Sequence, residues 1–170
     1  MYRFRAFGLR LFALGLVVAP LAACSAAGLS TFGNNRLAVA EVSNIGTYTA
    51  DGALVQARGH FRNNDFGKSA TFYKRVVELA PNNAEGYVGL GASYDRLRRF
   101  DLSDRVYASL FSLSGGTAQY YNNVGYSQML RGNLKDAMSN FRRAHDLAPD
   151  SVVIANNMQL VQQAAATTRI

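Results

Sequence analysis

The sequence predicts an all-α fold, a solenoid of three helix-turn-helix repeats closed by a C-terminal capping helix. Three observations carry this. Blocks beginning at Ala50, Ala84 and Ala118 align at a strict 34-residue spacing. In each block small residues (Ala57, Gly91 and Gly125, then Ser69, Ser103 and Ala137) are matched by a large one (Tyr73, Tyr107, Phe141), as two closely approaching helices require in a close-packed interior. No comparable length of chain alternates apolar and polar residues as a half-buried strand does.

The first element is a leader, residues 1–23. Arg3, Arg5 and Arg10 precede "LFALGLVVAPLAA", an apolar run of signal-peptide length that closes on small residues. It falls short of the about 20 apolar residues of a membrane span, and Pro20 interrupts it. It ends at Cys24, the only cysteine of 170 residues, so no intrachain disulfide can form and stability must come from packing. "LAAC" (Leu21 to Cys24) resembles the lipobox of bacterial lipoproteins. The resemblance implies cleavage before Cys24 and acylation of that residue, each buried acyl methylene contributing about 0.8 kcal/mol of membrane anchoring. Ser25, where an Asp would resemble an inner-membrane retention signal, implies a bacterial cell-envelope lipoprotein of the outer membrane facing the periplasm. The other reading of Cys24 is a small residue at an ordinary secretory cleavage site. No neighbouring His or basic pocket supports a catalytic thiol.

Residues 24–49 follow as lipidated N-terminus and tether. Their start is Gly/Ser-rich, and a flexible coil of this length spans roughly 25–30 Å. "RLAVAEV" reads equally as a short helix or a strand docked on the first repeat, so tethering and docking both stay open. Removing the three leader arginines lowers the net charge from +7 to +4. With no aromatic interleaving, an excess that small gives no argument for nucleic acid; it suits a solvated helix face, an acidic partner or anionic lipid.

Residues 50–149 are expected to form helix pairs at about 51–63/67–80, 85–97/101–114 and 119–131/135–148. Asp101, with Asp104 three residues on, reads as an N-cap with a favourable charge in the first turn. Thr117 and Asn133 read as further N-caps, Gly116 as a stop, and Pro81 and Pro149 as the ends of their helices. The second block departs from the pattern. Gly115 replaces the closing proline, Arg98 sits where a turn glycine is expected, and "SLSGGT" makes a looser join. The junction of the second and third repeats is therefore expected to be the flexible one. In residues 150–170, "SVVIANNMQLVQQAAA" reads as the first helix of a fourth repeat. Asn156 and Asn157 reproduce Asn122 and Asn123, and Gln159, Gln162 and Gln163 give the polar outer face that a terminal cap needs.

The clearest block, "AQYYNNVGYSQMLRGNLKDAMSNFRRAHDLAP", together with Tyr87, Leu90, Gly91, Tyr94, Tyr107 and Leu110 of the second and Ala57, His60, Ser69, Tyr73, Val76 and Pro81 of the first, resembles the tetratricopeptide repeat (TPR), a 34-residue helix pair. The resemblance implies a concave groove lined by the first helix of each pair. Its residues would be Arg58, Phe61 and Arg62 in the first repeat and Glu85, Val88, Ala92, Asp95 and Arg96 in the second. The third would supply Gln119, Asn122, Tyr126 and Met129, and the cap Asn156 and Leu160. Arg58 and Arg62 share one helix face at i, i+4, or are simply solvated. Asn and Tyr side chains can hydrogen-bond an extended peptide, so the implied partner is a protein segment or helix in the groove. Asn123 and Asn157 stand where the family uses Asn for packing. The lysine-rich carboxylate clamp of chaperone-binding TPR domains is absent, which disfavours a chaperone C-terminus.

Residues for chemistry are few. His60 and His145 fall in different repeats, the first at a packing position. Metal-ligand spacings, a nucleophile elbow and a phosphate loop are missing, and "GLGASYD" (Gly89 to Asp95) falls inside a helix. No catalytic residue, metal or cofactor is expected, and the chain is read as a non-enzyme. Lipobox, short tether, three repeats and an "NN" cap together are similar to the TPR lipoproteins of Flp/Tad-type tight-adherence pilus systems and to pilotins. That implies an envelope adaptor or scaffold. The second class is a periplasmic peptidoglycan-associated or ligand-binding module for cell-wall enzymes.

Overall fold

A computed structural model describes residues 38–168. Among the described residues there are seven α-helices and no strand: α1 (Ala50–Arg62), α2 (Phe66–Leu79), α3 (Ala84–Arg96), α4 (Phe100–Ser114), α5 (Ala118–Leu130), α6 (Leu134–Leu147) and α7 (Val152–Thr168). Consecutive pairs form antiparallel hairpins, and each hairpin stacks on the next, with α7 packed on α6. Each of the first six helices starts one residue before the position read from the sequence.

The 34-residue period recurs at the helix ends. Thr49, Asn83 and Thr117 cap α1, α3 and α5, each accepting a bond from a backbone N–H three residues on (3.2, 3.1 and 3.1 Å). Such a cap satisfies one of the four N–H groups a helix start leaves open. The turn within each pair is also periodic: Asn64, Arg98 and Gly132 have φ of 58°, 57° and 84°. Arg98 therefore adopts the left-handed conformation that a turn glycine would take without steric cost.

Three end signals differ from expectation. The residue preceding α4 is Arg99, which makes no side-chain cap bond. Asp101 lies inside the first turn, and Asp104 pairs across the repeat boundary with Arg131. Asn133 does occupy the N-cap of α6 but makes no cap bond; its amide instead donates to Gln128 Oε1 at 2.9 Å. The break after α4 is Gly115, with φ of 69°, rather than Gly116.

The interior is divided. One apolar core joins α1, α2 and α3, from Ala53 and Leu54 through Phe72, Tyr73 and Val76 to Leu90, Tyr94 and Leu97. A second joins α6 and α7 through Ala137, Phe141 and Val161, with Tyr126 and Met129 of α5 against it. Small and large residues meet as their spacing predicts. A Cβ on Gly91 would lie 2.6 Å from the Tyr107 ring, and one on Gly125 would lie 2.8 Å from Phe141.

The segment before α1 is docked. Residues 38–44 run along α2 without regular structure, and a 3-10 turn follows at Ile45–Thr47. Thr71 Oγ1 donates to the Ala40 carbonyl at 2.5 Å, and Arg75 Nη2 donates to that of Gly46 at 3.0 Å. Val42, Ile45 and Tyr48 close over the first core. Neither the helix nor the strand reading of "RLAVAEV" describes this strap. At the other end, Ile154 and Val161 of α7 are buried against α6, while Gln159, Gln162 and Gln163 face solvent. The leader, Cys24 and the first part of the tether lie outside the described residues.

Candidate functional site

The first helices of the repeats, α1, α3 and α5, adjoin in sequence, with α7 against α5, so one face of the solenoid is built from equivalent positions. Arg58 and Glu85 meet across the first repeat boundary. Nε and Nη2 donate to the two carboxylate oxygens at 2.6 and 2.5 Å, a two-pronged pair. Those bonds hold the guanidinium above its ordinary pKa. The pair is about half exposed, a setting in which ion pairs contribute little to stability. Its effect on the face is larger: Arg58 is already neutralised, and Arg62 is the cation of α1 left without an ion pair among the described residues. Phe61 lies edge-on to Phe66 at 5.3 Å, and the Arg96 guanidinium sits 4.2 Å above that same ring. Val88 and Ala92 are half-buried.

Asp95 departs most from expectation. It is 2% exposed, and its carboxylate accepts from Tyr107 Oη at 2.8 Å and Ser127 Oγ at 2.7 Å. It is enclosed within the fold and offers nothing to a ligand, because α5 of the following repeat closes over it. Burial pushes its pKa up, opposed by bonds from Ser127, Ser103 and Tyr107 and by the Arg131 charge. Arg131 completes the cluster. It donates to Ser127 Oγ at 2.9 Å, to Ser103 Oγ at 3.3 Å and to both oxygens of Asp104. Reading positions within a repeat missed this network, although Ser93 and Ser127 stand 34 residues apart. Ser93 makes the matching bond in the first half, 3.0 Å to Ser69.

The other half of the face is uncharged. Gln119 and Asn156 are exposed, and Asn122, Tyr126 and Met129 are half-buried. Leu160 is 48% exposed. Asn122 Oδ1 accepts from Asn157 Nδ2 at 2.8 Å, tying the cap to the third repeat. His60 packs flat on Phe72 at 5.4 Å, with Nδ1 3.1 Å from Asp65 Oδ2. Among the described residues, no three His, Cys, Asp or Glu side chains converge to hold a metal. None of the described helices is long and apolar enough to cross a membrane.

No family model matches the chain. The first TPR domain of human RPAP3, an NMR structure, superposes with a TM-score of 0.62, covering 71% of this chain and 95% of that one at 17% identity. The first TPR of Spaghetti (RPAP3), bound to the HSP90 peptide SRMEEVD, gives 0.57 at 19% identity, covering 69% and 95%. The fold is a TPR solenoid. In sequence, human mitochondrial import receptor subunit TOM70 is 25% identical over 122 residues, 71% of this chain. The match spans only 20% of that receptor's length. Within this TPR solenoid, the surface presented by the first helices has a charged half, where Arg58 pairs with Glu85 and Arg62 and Arg96 make no ion pair among the described residues, and an uncharged half where Leu160 is exposed.

Proposed function

We propose that this chain is a lipid-anchored TPR adaptor that binds a protein segment across the first-helix face, in a bacterial envelope assembly of the Flp/Tad pilus or secretion type. The observation that carries the binding role is the uncharged half of that face. Leu160 is 48% exposed there beside the exposed Asn156 and Gln119, with Tyr126 and Met129 half-buried against the second core, a mix of apolar area and amide groups that suits an extended peptide or a helix. A solved TPR neighbour holding an HSP90 peptide supports the mode of binding but not that ligand. Arg58 is bonded to Glu85, which leaves Arg62 and Arg96 as the cations near the charged half. A mainly apolar segment suits the uncharged half, and any carboxylate it carries falls to Arg62 or Arg96 rather than to Arg58. The anchor rests on the "LAAC" motif at Cys24 and the apolar run before it.

The test is a photo-crosslinking residue placed at Tyr126 in living cells, with recovery and identification of what it captures. Secretin or pilus-assembly subunits, lost when Met129→Ala and Leu160→Ala are combined, are the expected result. Cell-wall hydrolases, or capture indifferent to those substitutions, would overturn the pilus or secretion reading.

A further inference from the structure

The geometry points to a second surface: we infer that the edge of the solenoid formed by the turns within each helix pair docks on an anionic lipid bilayer. This inference rests on the envelope-anchor reading for its setting, whereas the surface itself stands on charge and topology.

The turns 63–65, 97–99 and 131–133 form one continuous edge, since the Arg96 guanidinium covers Phe66 at 4.2 Å and that of Arg131 covers Phe100 at 4.7 Å. Each turn thus touches the next. Arg62, Arg96, Arg98 and Lys135 on this edge make no ion pair among the described residues. Lys68, Arg99 and Arg131 pair with Asp65, Asp101 and Asp104, and Asp136 is the remaining carboxylate. Cations therefore dominate. The opposite edge reverses the sign: turns 80–83, 115–117 and 148–151 contain no basic residue and include Asp150. Beside them Asp51 and Asp146 make no ion pair among the described residues, whereas Glu78 pairs with Lys74 and Arg75, and Glu85 with Arg58.

The strap supplies the second observation. Ala38 lies at Gly67, at the start of α2, where a Cβ would come within 2.5 Å of its carbonyl oxygen. Ala40 is bonded to Thr71 and Gly46 to Arg75, further along the helix. The strap therefore starts at the basic edge. Fully extended, the chain between Cys24 and Ala38 reaches at most about 50 Å, so an anchored Cys24 keeps the solenoid near the bilayer and leaves charge to choose the edge that faces the headgroups. Each Lys or Arg brought near an anionic surface raises partitioning about fivefold. The four unpaired cations together make a factor of roughly several hundred, enough to hold a free chain on anionic vesicles and to orient a tethered one. Docked this way, the solenoid would stand with its acidic edge away from the bilayer and its first-helix face open to the side.

The experiment is co-sedimentation of a chain beginning at Ser25, which retains every described element and carries no acyl group. The probes are vesicles of mixed phosphatidylglycerol and phosphatidylcholine, against phosphatidylcholine alone. Binding to the anionic vesicles only, abolished by salt, is expected. The combined substitution Arg98→Gln, Arg99→Gln and Lys135→Gln should weaken it by roughly tenfold to a hundredfold. Lys74→Gln, Arg105→Gln and Arg142→Gln together remove the same charge from exposed positions on the second helices and should weaken it far less. Unchanged helical circular dichroism and melting show that both variants are folded. Equal binding to neutral vesicles, no binding to anionic ones, or equal losses in the two variants would overturn the inference. Acylation is read separately, from the mass of the full chain recovered from cell membranes. Failure at the vesicles would therefore leave the anchor reading standing.

Discussion

A carboxylate as enclosed as Asp95 makes both its bonds and its charge matter. Removing it in Asp95→Ala leaves the Tyr107 and Ser127 hydroxyls without their acceptor and takes one of two carboxylates from beside Arg131, which keeps its pair with Asp104. We expect a loss of about 2–4 kcal/mol in urea unfolding. Its pH dependence has a definite sign. Burial raises the folded-state pKa above 3.8, so between 3.8 and that raised value the folded chain holds more proton than the unfolded one. The stabilising contribution of the protonated form is complete below 3.8 and lost as pH rises through the folded value. Unfolding midpoints followed upward from pH 3.8 should show this decline in the wild type, and Asp95→Asn should remove it. Gly91 gives a second residue-level test: a methyl there meets the Tyr107 ring at 2.6 Å, and Tyr107 is held in place by Asp95. Gly91→Ala should cost about 1–3 kcal/mol, read from the same denaturant curves. The glycine–aromatic pairs were legible from spacing because both partners belong to one repeat. The fate of Asp95 was not, because the groups that enclose it include Ser127 and Arg131 of the next repeat.

Helix positions followed from the repeat period to within a residue, while the capping bonds at the helix starts were less legible than the ends marked by Pro81 and Pro149. Thr117 makes such a bond. Asp101 does not, because the chain enters α4 one residue earlier through Arg99. Arg98 holds the same left-handed turn as Asn64 and Gly132 and carries a Cβ that clashes there. Arg98→Gly should raise stability by about 1 kcal/mol, seen as a higher denaturation midpoint with an unchanged slope. The strap was illegible for another reason. Its partners are the Thr71 hydroxyl and the Arg75 guanidinium, so it needs neither a ladder nor a helical period to be held. Gly67→Ala sets a methyl against the Ala38 carbonyl and should speed proteolysis and amide exchange in residues 38–49. The exchange of α5–α7 should stay as it was.

Across the whole molecule, the two apolar cores do not merge. The second and third repeats are joined instead by the Asp95–Ser127 and Arg131–Asp104 bonds and by Phe111 against Tyr120 at 5.1 Å. Polar joints of this kind are specific in geometry and poor in area, which places them at the low-stability end of a solenoid. Amide exchange should therefore be fastest at the α4–α5 junction, and Arg131→Ala should split urea unfolding into two transitions read by exchange in α2 and in α6. Exchange at this junction no faster than at α2–α3 would refute that expectation. The repeat period announced the number of units; it is silent on how strongly each grips the next, which depends on the few positions where the blocks differ. The strap carries a mechanical consequence. Tension arriving along the chain at Ala38 meets the Thr71 and Arg75 bonds and the buried contacts of Val42, Ile45 and Tyr48 before it reaches α1. If Cys24 is anchored as proposed, the strap would take up a pull on the tether before α1 does and so act as strain relief for the first repeat.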